Sequence, residues 1–143
     1  MSESSALNIL LVEDDDVAIE AIIRGLRRHA AQCQVTPAED GVVALQILRG
    51  QHATHRVAKP HIVLLDLNMP RMNGFEFLRE LRSDPELRGT VVFILTTSDI
   101  ENDRARAYEE CIAGYIVKSG IGPQCSSLAR FLTEYRQVVR LPD

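Results

Sequence analysis

Asn8-Ile-Leu-Leu-Val12, His61-Ile-Val-Leu-Leu65 and Val91-Val-Phe-Ile-Leu95 are short, nearly unbroken apolar runs, each closing on polar residues. Runs of this length without alternation read as strands buried on both faces, the kind a parallel sheet uses. Gly114-Tyr-Ile-Val117 predicts another such strand, ending at Lys118. Gln34 to Thr36 predicts a shorter one, which Pro37 assigns to a sheet edge because proline cannot donate to a ladder.

Between the strands the period changes. Ile19, Ile22, Ile23 and Leu26 fall at i, i+3, i+4 and i+7, one apolar stripe of a helix lying on a sheet. The acids Glu13 to Asp16 before it, and Arg27 and Arg28 near its end, suit the helix dipole. Asp40-Gly41 opens a second helix with Ala44, Leu45 and Leu48 on its buried face. A third carries Phe77, Leu78 and Leu81 and is ended by Ser83-Asp84-Pro85. A polar helix is expected from about Ile100 to Glu110, and a final one buries Leu128, Phe131, Leu132, Tyr135 and either Val138 or Val139. Strands alternating with helices predict an α/β fold, a doubly wound five-stranded parallel sheet with helices on both faces. The edge position of the second strand fits the order 2-1-3-4-5.

Composition narrows the class. The 143 residues suffice for one domain with a proper core, expected to span the whole chain with its core at about 7–140. Hydrophobic residues at 45%, charged residues at 25% and a net charge of −4 describe a soluble protein with no electrostatic call for nucleic acid. Cys33, Cys111 and Cys125 form no metal or disulfide pattern and read as reduced thiols, which points to the cytoplasm. Cys111 and Cys125 are expected to be small core fillers. No targeting segment or membrane span is expected.

The strand ends carry the chemistry. In this fold, ligands bind at the carboxyl ends of the strands. That rim would hold Glu13, Asp14, Asp66, Thr96 and Lys118. Three neighbouring carboxylates repel one another and call for a cation. Oxygen ligands without thiolate or imidazole select a hard ion, and Mg²⁺ suits an open rim. Asp66 is then a carboxylate nucleophile for phosphorus, with Thr96 as a hydroxyl donor and Lys118 as a mobile positive charge.

At these residues the chain resembles a response-regulator receiver domain, the phosphoacceptor half of two-component signalling. Ile9-Leu-Leu-Val-Glu-Asp14 resembles the family's acidic pair after strand one. Ile62-Val-Leu-Leu-Asp66-Leu-Asn-Met-Pro-Arg-Met-Asn-Gly74 resembles its phosphorylation strand and following loop. The resemblance implies the flavodoxin-like receiver fold, whose known strand order is the one expected above. It implies phosphorylation of Asp66 by a histidine kinase. It also implies Mg²⁺ held by Asp14, Asp66 and the Asn68 backbone carbonyl, with Glu13 acting mostly through water. Thr96 falls at the family's switch hydroxyl and Tyr115 at its aromatic switch residue. Arg106-Ala-Tyr108, Tyr115-Ile-Val-Lys118 and the long loop before strand three look like small stand-alone regulators that often partner phytochrome-type kinases. With no DNA-binding or catalytic segment after Asp143, output is expected through protein contacts of the fourth helix, fifth strand and fifth helix. The partner there would be a downstream protein or, because such regulators often dimerise beside the last helix, a second copy.

One departure stands out. Ser119 follows Lys118 where the family usually has a cis-proline, so an altered loop is expected there. Taken singly, Thr96 is an ordinary strand end, Lys118 a surface lysine and Tyr115 as much a packing residue as a switch. His52, His55 and His61 share no ligand spacing with any acid. A phosphatase working through an aspartyl phosphate would want a second acid two residues after Asp66, where Asn68 stands. A receiver that binds partners without being phosphorylated is the other alternative.

Overall fold

The computed structural model describes residues 7–30, 32–59 and 61–142. The outermost residues of the expected domain, 1–6 and 143, lie outside them. The elements are β1 (Leu7–Val12), α1 (Asp16–His29), β2 (Cys33–Ala38), α2 (Gly41–Leu48), β3 (His61–Leu65), α3 (Gly74–Ser83), β4 (Val91–Thr96), α4 (Glu101–Glu109), β5 (Gly114–Val117) and α5 (Ser126–Val138). Two short 3-10 turns, Lys118–Gly120 and Pro123–Cys125, lie between the last strand and the last helix. The strands form one parallel sheet in the order β2-β1-β3-β4-β5.

Alternation along each strand sends successive side chains to opposite faces. Leu10, Val12, Val63, Leu65, Val92 and Ile94 face one way, into a core shared with α2 and α3. Leu7, Ile9, Leu11, Ile62, Leu64, Phe93 and Leu95 face the other, against α1 and α5. Both faces are covered, so the central strands are apolar at nearly every position. That is why they read as unbroken runs.

The first three helices start on side-chain caps. Asp15 accepts from the Val17 N–H at 3.0 Å, and Asp40 from the Val43 N–H at 3.0 Å. Asn73 and Glu76 form a reciprocal capping box at α3. β2 lies at the sheet edge, as Pro37 requires, but runs longer than Gln34 to Thr36 because Cys33 and Ala38 also pair with β1.

Three core assignments need correction. In α2, Ile47 is buried and Leu48 only partly so, because the helix turns its Ile47 side squarely onto the core. In α5, only Leu128, Ala129 and Leu132 are fully covered, while Phe131 and Tyr135 flank the Phe93 ring edge-on at 5.5 and 5.3 Å. Val138 is 77% exposed and Val139 37%, since the helix ends there and Leu141 packs against the α1–α5 core instead. Cys125 is buried as expected, but Cys111 is exposed: it adopts φ 61° just beyond α4 and turns outward.

That turn is held by a residue whose helical position gives no hint of the task. The Arg82 guanidinium donates to the carbonyls of Glu110 (2.7 Å), Arg88 and Thr90 (2.8 Å each) and Cys111 (3.0 Å). It thereby joins the end of α3 to the loops on either side of β4. A lysine ammonium cannot span four carbonyls in a planar fork. Arg82→Lys is therefore expected to cost about 1–3 kcal/mol of stability. Urea denaturation followed by circular dichroism measures it, and an unchanged midpoint would contradict the assignment.

Candidate functional site

β1 and β3 are direct neighbours, with Val12 opposite Leu65. The ladder continues one step past each strand: the Asp66 N–H donates to the Val12 carbonyl at 2.9 Å, and the Glu13 N–H to the Ala38 carbonyl at 2.9 Å. Glu13, Asp14 and Asp66 are therefore carried to one point by backbone pairing. One carboxylate oxygen from each lies within 4.8 Å of the others. Glu13 and Asp66 are buried, and Asp14 opens to solvent.

Lys118 reaches back across the sheet, and its Nζ lies 2.6 Å from Glu13 Oε1. The other Glu13 oxygen accepts from the Asp15 N–H at 3.3 Å. Glu13 is thus turned inward and occupied on both oxygens, leaving Asp14 and Asp66 as the freer pair. Burial pushes the Glu13 carboxyl above its usual value; the Lys118 hydrogen bond pulls it back and the Asp66 charge adds to the rise. Ser119 leaves this contact intact. The chain enters the 3-10 turn Lys118–Gly120 directly from β5, with Lys118 the first residue of the turn.

The set of donors fits a hard divalent cation. It is all oxygen, includes one solvent-open carboxylate and has no thiolate or imidazole. Asn68 is exposed in the loop that follows Asp66.

Thr96, at the end of β4, is fully buried, and its Oγ1 accepts from the Ser98 N–H at 3.4 Å. Tyr115, on β5, is half-buried against the α2–α3 core and donates its hydroxyl to the Ser98 carbonyl at 3.0 Å. Burial raises the Tyr115 hydroxyl pKa, keeping it a donor. Ser98 Oγ donates to Asp103 Oδ2 at 2.8 Å, in the first turn of α4. Thr96, Tyr115 and α4 are thus joined through one residue that the sequence reading missed. Its signal was the polar run Thr96-Thr-Ser98 before a helix whose N-cap, Ile100, has no side-chain acceptor. His52 and His55 pair with each other in the loop before β3 and are not members of the carboxylate cluster.

The response regulator receiver domain family matches residues 9–124. Response regulator Rcp1 of Synechocystis is 33% identical over 111 residues, covering 78% of this chain and 76% of its own. The phosphorylated cyanobacterial phytochrome response regulator RcpA superposes with a TM-score of 0.81 at 31% identity, covering 97% of this chain and 100% of that one. The Mn²⁺-bound form of response regulator Rcp1 gives 0.80 at 29% identity, covering 95% and 99%. In the described residues, no helix is long and apolar enough to cross a membrane.

The crowding has a pH signature. A Glu13 carboxyl raised in the fold contributes stability that is full below its unfolded value of 4.5 and is lost as pH rises through the folded value. In chelator, the wild-type protein minus Glu13→Gln should therefore lose stability as pH climbs from about 4.5 through that window. Denaturation at a series of pH values reads the difference. A flat or rising difference would contradict the assignment.

Proposed function

From the premise that the chain belongs to the response regulator receiver family, we propose that it accepts a phosphoryl group from a histidine kinase on Asp66. The carrying observation is the Glu13–Asp14–Asp66 cluster with Lys118 bridged to it. Asp14, Asp66 and the Asn68 backbone carbonyl would hold Mg²⁺, with Glu13 contributing through water because both its oxygens already have partners. Bound there, Mg²⁺ supplies charge neutralisation for the rim and for the phosphoryl oxygens.

The chain's own residues do the rest. An Asp66 oxygen attacks phosphorus as the bond from phosphorus to the kinase imidazole nitrogen breaks. An acyl phosphate forms and the imidazole departs. Lys118 swings from Glu13 toward the incoming anion, and the Thr96 hydroxyl donates to it. That movement costs Thr96 its contact with the Ser98 N–H. Because Ser98 also holds the Tyr115 hydroxyl and Asp103, the change passes to α4 and β5. The face made by α4, β5 and α5 presents Tyr108, Phe131 and Val138 to solvent and would be read by a downstream protein or a second copy of the chain. The protein is then a signalling switch that catalyses only its own phosphorylation and dephosphorylation, and it works in the cytoplasm. The likeness to Rcp1 and RcpA supports a phytochrome-type kinase as the donor.

Incubation with phosphoramidate and Mg²⁺ should add one phosphoryl group by intact mass. The gain should be absent in Asp66→Asn and in chelator. No gain from phosphoramidate or from any histidine kinase overturns the reading, whereas phosphomonoester turnover lost in Asp66→Asn favours a phosphatase. Transfer from other kinases but never from a phytochrome-type one removes only the choice of partner.

A further inference from the structure

The loop between β3 and α3 carries Asn68, and it is pinned at its far end by an ion pair outside the carboxylate cluster. Arg71 donates from Nε and Nη2 to Asp40 Oδ2, at 2.7 Å in each case. Asp40 is buried, its side chain only 5% exposed, and its other oxygen caps α2 through the Val43 N–H. Arg71 itself sits at φ 62°, a left-handed conformation that a residue with a Cβ does not choose unaided. Around the pair the loop is packed without slack. The Gly41 N–H donates to the Met72 carbonyl at 3.3 Å, and the Gly74 N–H to the Leu67 carbonyl at 3.0 Å. A Cβ at Gly41 would meet Met72 at 2.8 Å, and one at Gly74 would meet the Asp66 carbonyl oxygen at 2.6 Å.

Asn68 thus lies between two fixed points: Asp66, paired to β1 just past the end of β3, and Arg71, held to the α2 start. We propose that Asp40 and Arg71 are positioning residues for the divalent-cation site, acting by fixing the backbone carbonyl of Asn68 against the Asp14–Asp66 pair. The inference rests on the metal site proposed above and adds a determinant of its affinity. The ion pair holds Arg71 in its left-handed conformation, and the left-handed turn returns the chain to Asn73, the cap of α3. Losing the pair frees Arg71 to relax toward ordinary φ, and the loop turns away from the rim. Supporting groups of this kind change metal affinity by about tenfold or more when removed.

The charges provide the control. Asp40→Asn keeps a good cap but removes an anion near the site; Arg71→Ala removes a cation. Were long-range charge the only influence, Asp40→Asn would weaken Mg²⁺ binding and Arg71→Ala would strengthen it. Positioning predicts that both weaken it in the same direction, by about tenfold. The double variant should be no weaker than either single one. Titration calorimetry with Mg²⁺ alone measures this on the full chain. Hydrogen exchange on residues 67–73 should show lost protection in each variant, with the two cores still protected. Arg71→Lys should restore part of the affinity. Tighter binding by Arg71→Ala, or unchanged binding in both variants, overturns the inference while leaving the metal site standing. Failure of the wild-type protein to bind Mg²⁺ overturns the metal site itself and this inference with it.

Discussion

The sheet brings three carboxylates together at the cost of mutual repulsion. Backbone pairing of β1 with β3, continued by the Asp66 N–H to the Val12 carbonyl, holds the main chains of Glu13, Asp14 and Asp66 together, and only opening the centre of the sheet would part them. Opening it would expose Leu10, Leu11, Leu64 and Leu65, all essentially inaccessible to solvent. Burying one such side chain stabilises by about 1.5–3 kcal/mol, so the packing of two cores easily outweighs the repulsion at one rim. The repulsion persists and is partly relieved by Lys118. A buried ion pair roughly offsets its own desolvation, so that contact makes the acidic rim tolerable and contributes little net stability.

The rest of the machinery consists of loops held by polar links to distant elements. Arg71 ties the loop after β3 to the start of α2. Ser98 ties the loop after β4 both to β5, through Tyr115, and to α4, through Asp103. Arg82 ties the loops on both sides of β4 to α3. A rigid sheet with loops positioned in this way is a common arrangement for binding and switching residues. Ser98 is central because its N–H, carbonyl and hydroxyl each serve a different partner. Through it Thr96, Tyr115 and the first turn of α4 share one hydrogen-bonded link.

Some features were legible because they are local. Strand and helix periods, the helix starts after the acids Glu13 to Asp16 and at Asp40-Gly41, the edge position marked by Pro37 and the residues closing each strand follow from side-chain shape and backbone hydrogen bonding over a few positions. Errors arose where an apolar residue had two ways to go. Leu48 yielded its place to Ile47, Val138 and Val139 were left outside by the end of α5, and Cys111 turned outward under the hold of Arg82 on its carbonyl. Hydrophobic pattern says that a residue can be buried; available neighbours decide whether it is.

The sequence by itself determined the α/β architecture and which side chains arrive at the acidic rim, because strand period and strand end are properties of neighbouring residues. Only the tertiary structure decided how the charges pair. Lys118 and Glu13 are 105 positions apart, and Arg71 and Asp40 are 31 apart. Whether such groups come within hydrogen-bonding reach depends on the packing of every strand and loop between them, and a Coulombic preference worth having exists only at that close range.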